Sequence, residues 1–278
     1  MTGIFAYGAF GLIIGSFLNV VILRNGVRAL GGRSICMSCG NEIRWFDLVP
    51  VFSWIWLGGK CRTCRGRISV QYPLVEILTS VLFMFIGVSP LSFLMRILGF
   101  LIAAILICIA VYDMRHTIIP DLWVFGFGAL AFFYSFTGTA GNLNMSDILV
   151  RALAGPFTAL PLFILWFTSK GRWMGFGDVK LALGIGWLLG AVYGTVAIFL
   201  AFVLGAVISL SLVFFSSVLW NRITRQFIPY RFWCIAAKGF TMKSEVPFGP
   251  FLIASCVVLW FLISYNIDPL QFVNVLLL

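Results

Sequence analysis

The sequence predicts an all-α polytopic membrane protein of about eight transmembrane helices, with one small cytoplasmic loop of zinc-ribbon type. Three observations predict it. Of the 278 residues, 62% are hydrophobic and 10% are charged, whereas a soluble domain is nearer half apolar and a quarter charged. The apolar residues fall in runs close to the length of about 20 that spans a bilayer as a helix. The one long polar stretch, roughly 24–72, carries two C-x-x-C pairs.

The spans follow in order. The first, about 3–23, has neither a charged leading segment nor an obvious small-residue cleavage site, so it reads as a retained helix and not a removable signal peptide. After the loop come spans at about 73–89, 91–112, 122–137 and 148–168, the 122–137 segment being Gly-rich. A shorter run at 179–193 is separated by a tight turn near Gly194 from 195–220, and a last run covers 246–265. Residues 1–72 form one region, the first helix plus the cysteine loop, and 73–278 the transmembrane core.

Charge orients these spans, because Lys and Arg concentrate in cytoplasmic loops. Arg24, Arg28, Arg33, Arg44, Lys60, Arg62, Arg65 and Arg67 lie between the first two spans. Every second connection is basic again: Arg115, then Lys170, Arg172 and Lys180, then Arg222, Arg225, Arg231, Lys238 and Lys243. The connections 137–147 and near Gly194, and the tail 266–278, contain no Lys or Arg. Only Arg96 and Arg151, near helix starts where a long side chain can snorkel, fall on the other side. Both termini are therefore expected outside. The net charge of +10 follows from this bias. Spread over four loops, it indicates anionic lipid headgroups and not nucleic acid.

The cysteine loop carries Cys36-Met37-Ser38-Cys39 and Cys61-Arg62-Thr63-Cys64, separated by 21 residues. That spacing is close to the roughly 15–20 of zinc ribbons. Four thiolates would close a tetrahedral, structural site. Gly40 and Gly66 are expected to serve the turns beside each knuckle. A reducing cytoplasm disfavours the alternative of two disulfides. Cys108 and Cys256 lie in apolar spans and read as packing residues, and Cys234 is a loop thiol with no evident partner.

Two carboxylates stand at the mouths of apolar helices on the same expected face. Asp113 closes the 91–112 run, and Gly175-Phe176-Gly177-Asp178 opens the 179–193 run. Ionisable groups there are costly unless paired, solvated or used. Two carboxylates sharing a proton can activate water, as in aspartic proteases. Solvated helix-end acids are the plainer reading, and the tetrapeptide alone does not decide between them.

The motifs together resemble the type IV prepilin peptidases over nearly the whole length. Gly15-Ser16-Phe17-Leu18-Asn19-Val20-Val21-Ile22-Leu23-Arg24 is similar to that family's opening motif. The two knuckles flank Pro50-Val51-Phe52-Ser53-Trp54, and Tyr72-Pro73-Leu74-Val75-Glu76 follows. Asp113 begins a segment ending Ile119-Pro120-Asp121, GFGD continues as Val179-Lys180-Leu181, and Pro247-Phe248-Gly249-Pro250-Phe251 matches the last motif. The resemblance implies a Gly-x-Gly-Asp intramembrane aspartyl protease with Asp113 and Asp178 catalytic, in the bacterial inner membrane. It also implies prepilin or pseudopilin substrates cut after a short basic leader at the cytoplasmic face. The cysteine loop resembles the bifunctional type that methylates the new N-terminus with S-adenosylmethionine.

In such a site one ionised aspartate takes a proton from the attacking water and the other, protonated, donates to the scissile carbonyl. A coupled pair titrates as a unit, so the roles are not fixed. Asp178 at a helix start, where the dipole favours an anion, is the better candidate for the ionised one. Gly175 and Gly177, lacking Cβ atoms, would let substrate backbone approach. Lys180 can balance site charge or snorkel. Glu76 and Glu245 can meet a basic leader, though caps or ion pairs account for them equally. Asp121 reads as a helix-start acid and His116 as a solvated loop histidine. Gly11/Gly15, Gly186/Gly190 and Gly190/Gly194 read as helix contacts.

Three other readings stay open: an aspartyl protease for other substrates without methyl transfer, a transporter, and a zinc-stabilised scaffold. The first leaves the cysteine loop and opening motif unexplained. A transporter places its acids near the midplane of repeated halves, and no repeat is visible here. The scaffold leaves the coincidence of Asp113 and Asp178 unexplained. Oligomeric state and the S-adenosylmethionine residues are not legible in the sequence.

Overall fold

A computed structural model describes residues 2–26, 31–137, 144–216 and 247–268. Every regular element among them is helical: α1 (Thr2–Arg24), a 3₁₀ turn (Trp45–Leu48), α2 (Phe52–Trp56), α3 (Gln71–Val88), α4 (Phe93–His116), α5 (Asp121–Thr137), α6 (Met145–Ser169), α7 (Phe176–Ser216) and α8 (Gly249–Ser264). Among the described residues five helices, α1, α3, α4, α6 and α7, are long and apolar enough to cross a membrane, and α5 and α8 are shorter apolar helices. Cys234, Glu245, the basic loop 221–245, residues 217–220 of the seventh expected span and the tail from 269 lie outside the described residues.

The chain divides into two packing units, one holding residues 1–87 and 210–245 and the other 88–209 and 246–278. In the first, α1 and α3 touch through glycine. A methyl group on Gly11 would stand 2.6 Å from the Ser80 Cα, and one on Gly15 2.7 Å from the Glu76 Cα. Backbones brought this close can exchange polar contacts inside an apolar pair. Ser80 Oγ donates to the Gly8 carbonyl at 2.9 Å, and Asn19 Nδ2 donates to the Tyr72 carbonyl at 3.1 Å. The Gly11/Gly15 reading as a helix contact is accordingly what the structure has.

The second unit packs α4 against α5 and α8, and α5 against α6. Helix α6 carries Pro156 and Pro161 in its interior. Proline at 156 leaves the carbonyl of Ala152 without its helical donor. The Trp187 indole N–H of α7 fills that vacancy at 3.0 Å. Freed backbone groups inside a membrane helix need such a partner.

Helix α7 covers the run 179–193 and the described part of the next, 195–216, but the break between them is Gly190 and not Gly194. Gly190 has φ +81° and ψ 168° and open space where a Cβ would be. A side chain would be strained in that conformation. Gly186 and Gly194 are instead filled by α6: a Cβ on either would press on Thr158, at 2.6 Å and 2.7 Å from its Oγ1. Gly190 is therefore a break and not a contact, which corrects its place in both small-residue pairs.

Candidate active site and metal centre

Asp113 and Asp178 both belong to the second unit. Along α4 the buried positions Gly99, Ile102, Ala103, Leu106 and Ile109 form one stripe at helical spacing, and Asp113 is its last member. The carboxyl is thus carried into the interior by the period that buries the leucines and isoleucines before it. Only 5% of Asp113 is exposed. The helix runs on to His116 and stops at Thr117, left-handed at φ +54°, whose N–H donates to the Asp113 carbonyl at 2.8 Å. Arg115 and His116 consequently lie in the last turn of α4, not in a loop as expected, and His116 packs on the Tyr112 ring with centroids 4.4 Å apart.

Asp178 is the third residue of α7, two positions inside the helix start that its sequence suggested. The Asp178 N–H donates to the Gly175 carbonyl at 3.3 Å, and the Gly175 N–H returns a hydrogen bond to the Asp178 carboxylate. This reciprocal arrangement is the carboxylate half of a capping box. Capping accounts for one carboxylate contact but not for the burial. Asp178 is 8% exposed and starts the stripe Leu181, Ala182 and Ile185.

The two carboxyl groups lie within electrostatic reach of one another, and one side chain links their surroundings. A Cβ on Gly177, the residue before Asp178, would stand 3.0 Å from the Ile119 Cβ. A Cβ on Gly249 would stand 3.4 Å from the Ile119 Cδ1 and 2.5 Å from the Asp113 Oδ2. The Gly249 N–H donates to the Asp113 carboxylate. Each aspartate therefore accepts a backbone N–H from a glycine, Gly249 for Asp113 and Gly175 for Asp178. The sequence marked Pro247–Phe251 as a motif but assigned Gly249 no task. A buried glycine between two prolines at a helix start was the available signal.

The other sequence-selected residues have definite places. Lys180 Nζ pairs with Asp121 Oδ1 at 2.6 Å and sits over the Phe176 and Phe125 rings at 5.1 and 5.3 Å. Asp121 is the first residue of α5, as expected of a helix-start acid. Gly175 is exposed, with nothing nearer than 3.9 Å to an added Cβ. Glu76 is in the first unit, 6% exposed, and its Oε2 accepts the Val51 N–H at 2.7 Å. The Ser16 hydroxyl also bonds it. Glu76 thus ties the opening motif and the cysteine loop to α3.

The cysteine loop is built from one knuckle used twice. Cys36 N–H donates to the Asn41 carbonyl and Gly40 N–H to the Cys36 carbonyl, both at 2.9 Å. Cys61 N–H donates to Gly66 at 2.8 Å and Arg65 N–H to Cys61 at 3.0 Å. Bridges Ile35–Glu42 and Lys60–Arg67 close the two turns. Each turn needs one left-handed residue. Gly40 supplies it in the first at φ +74°, and Arg65 in the second at φ +57°. Gly66 is therefore not the turn residue expected. Its N–H reaches the Cys64 Sγ at 3.4 Å, and an added Cβ would meet Ser38 Oγ at 3.0 Å.

The four sulfurs of Cys36, Cys39, Cys61 and Cys64 lie within 4.8 Å of one another, and Cys36 Sγ is 3.8 Å from Cys64 Sγ. Zn–S bonds of about 2.3 Å in a tetrahedron give an S–S edge of about 3.8 Å. A disulfide would need about 2.05 Å, and these cysteines are free thiols. The residues fit zinc. Burial opposes ionisation of Cys36, but the N–H groups of Cys39 and Ser38 and the thiols of Cys61 and Cys39 outweigh it and lower its pKa to about 6. Beside the cluster, Arg62 forks onto both Asp47 oxygens, with Nε at 3.2 and 3.0 Å and Nη2 at 2.6 Å.

An α-helical chain with this face of buried carboxylates and a four-thiol loop defines a polytopic membrane protein of the kind the sequence resembled. Residues 9–89 match the bacterial peptidase A24 N-terminal domain, and residues 100–210 match the type IV leader peptidase family. The chain belongs to the type IV leader peptidase family. It is similar to a prepilin leader peptidase/N-methyltransferase of Pectobacterium carotovorum, 32% identical over 66% of this chain and 74% of the relative. A Vibrio cholerae protein of the same description is 30% identical over 90% and 93% of the two chains. One from Aeromonas salmonicida is 26% identical over 87% and 85%. No solved structure matches.

Proposed function

We propose that this protein is a bacterial inner-membrane peptidase that removes the basic leader of type IV prepilins or pseudopilins with Asp113 and Asp178. We further propose that it methylates the new N-terminus. The observation that carries the reading is two buried carboxylates at the ends of α4 and α7, within electrostatic reach, in a chain of this family. Inert helix-end acids would be expected to turn to solvent; these are on the packed stripes of their helices.

In the proposed reaction one aspartate, ionised, removes a proton from water as the oxygen attacks the scissile carbonyl. The other, protonated, donates to the carbonyl oxygen, and a proton passes to the leaving amine as the C–N bond breaks. Because both carboxylates accept a glycine N–H, the helix dipole at Asp178 does not settle which is ionised, and the pair acts as one titrating unit. The exposed Gly175 leaves room for substrate backbone beside Asp178. Lys180 holds Asp121, so its proposed contribution is to keep the starts of α5 and α7 in place. Glu76 is committed to the Val51 amide and is not assigned to the leader.

Zinc on Cys36, Cys39, Cys61 and Cys64 would be structural, fastening residues 34–68 into a unit tied through Glu76 to α3. Residues 1–72 are proposed to serve methyl transfer and 73–278 proteolysis. The described residues contain no glycine-rich strand–helix loop of the soluble nucleotide-binding kind, so no residue is assigned to S-adenosylmethionine. The active face is proposed to be cytoplasmic, from the charge bias of the connections. Incubating purified protein with a prepilin and methyl-labelled S-adenosylmethionine tests both activities. A shortened, labelled product supports the reading. An uncut substrate refutes the peptidase, and a cut but unlabelled one refutes the methyl transfer alone.

A further inference from the structure

The residues between the two knuckles are unlike the rest of a polar loop. From Trp45 to Trp56 they read W-F-D-L-V-P-V-F-S-W-I-W, and the structure sorts them. Trp54 turns inward: it packs against Gly59 and donates its indole N–H to the Ile68 carbonyl at 3.3 Å. Its neighbours turn outward. Trp56 is 86% exposed, Trp45 81%, Phe52 68% and Ile55 64%. Leu48 and Val49 are exposed as well. A loop that half-buries one tryptophan leaves two others and a phenylalanine uncovered. Large apolar residues gathered in this way mark an interaction surface.

Charge narrows the partner. The loop's two acids are already used, Glu42 by Arg33 at 2.8 Å and Asp47 by Arg62 at 2.6 Å. Arg44, Lys60, Arg65 and Arg67 are exposed and make no ion pair among the described residues. Exposed apolar and aromatic side chains therefore share this loop with four exposed basic ones, of which Arg44 lies over the Phe46 ring at 5.9 Å. Both ends of the loop enter apolar helices, α1 ending at Arg24 and α3 beginning at Gln71. If those helices span, the loop is tethered at headgroup depth. Tryptophan concentrates at that depth. Short elements with Trp, Phe and Leu on one side and Lys and Arg around them lie in the interface plane.

We infer that the stretch Trp45–Trp56 is a membrane-surface anchor, with Trp45, Phe52, Ile55 and Trp56 seated among the headgroups of an anionic bilayer and Arg44, Lys60, Arg65 and Arg67 against its phosphates. A prepilin helix is the rival occupant. Its basic leader would meet four basic side chains that make no ion pair among the described residues, whereas an anionic headgroup is attracted to each of them. The inference rests on α1 and α3 spanning the membrane and is independent of the Asp113 and Asp178 chemistry. Its consequence is that the cysteine loop is held at the bilayer surface by lipid and not by zinc alone.

The test uses the full chain with a benzophenone amino acid at position 45, 52 or 56. The protein is reconstituted in phosphatidylcholine vesicles with or without phosphatidylglycerol, illuminated, and the adducts are identified by mass. Lipid adducts are expected at all three positions, with yields several-fold higher when phosphatidylglycerol is present. Replacing Arg44, Lys60, Arg65 and Arg67 together by glutamine should abolish that increase. Unchanged proteolytic resistance of the loop would show that this variant still folds. Adducts to another part of the chain would mean the protein covers its own surface and would overturn the inference. Adducts that move to added prepilin would make it a substrate dock, and the absence of adducts would leave it in water; either result also overturns it.

Discussion

Replacing Gly249 by alanine places a methyl group where a carboxylate already stands. The new Cβ would lie 2.5 Å from the Asp113 Oδ2, 3.3 Å from its Cγ and 3.4 Å from the Ile119 Cδ1. An ordinary carbon–oxygen contact is about 3.4 Å, so the oxygen has to retreat by roughly 0.9 Å, against a core packed to near crystal density. Misplacing a catalytic group by about 1 Å can cost on the order of 100-fold in rate. We predict that Gly249→Ala lowers kcat for prepilin cleavage by about 100-fold, equivalent to about 2.7 kcal/mol, with KM changed little. Gly175→Ala is the contrast. Its Cβ meets nothing closer than 3.9 Å and its φ is not left-handed, so the resting site should be undisturbed. Any loss in that variant therefore reports crowding of the substrate. The assay is leader cleavage of purified prepilin at saturating and limiting substrate, with thermal unfolding in detergent and methylation of a pre-cut pilin as checks on integrity. Gly249→Ala cleaving within about threefold of the parent would refute the placement of Gly249 against a working Asp113.

Removing any one of Cys36, Cys39, Cys61 or Cys64 should release zinc and loosen the loop, because a closed four-thiolate site stabilises only the fold that presents it. Metal analysis and limited proteolysis of Cys36→Ser and Cys61→Ser check this, and methylation should fall further than cleavage. The Arg62 guanidinium, through its hydrogen bonds and charge, holds the Asp47 carboxyl below its usual 3.8. The stability it contributes is therefore present above that value and is lost as pH falls through the lowered one. Hydrogen exchange of the loop should show Asp47→Asn loosened at neutral pH and insensitive to acid in that window, after allowing for zinc release. Accessibility labelling at 33, 115 and 172 should find all three on one side of the membrane, and a result placing 115 and 172 on opposite sides would dismantle the site.

The parts of this protein that follow a local rule were legible. Apolar runs gave the helices and repeated knuckles gave the thiol cluster, whereas the sequence left Asp113 and Asp178 open between solvated and used, and their burial is seen only in the packed stripes they join. What escaped depends on contacts made in three dimensions. Gly184, Gly186, Gly190 and Gly194 look alike in sequence. Only packing shows that Phe127 stands against the first and Thr158 against the second and fourth, leaving Gly190 to turn the chain. Arg65 in a left-handed conformation violates the usual preference for glycine; the cysteine knuckle's hydrogen bonds hold it there, and sequence reasoning chose the adjacent Gly66. The Trp187 bond to the carbonyl freed by Pro156 joins two helices through a vacancy that no periodicity records. Gly249 lies far along the chain from Asp113, so its N–H contact was invisible although its motif was not.

Asp113 and Asp178 are proposed to act as one proton-sharing pair. The most direct measurement is leader cleavage by Asp113→Asn, Asp178→Asn and the double variant, each shown to be inserted and folded. An amide keeps the shape but cannot take and return the proton, and residues that act as a unit are non-additive. Each single variant is predicted to be inactive to the same degree as the double. Robust cleavage by either single variant, or a double variant far worse than both, would contradict the account.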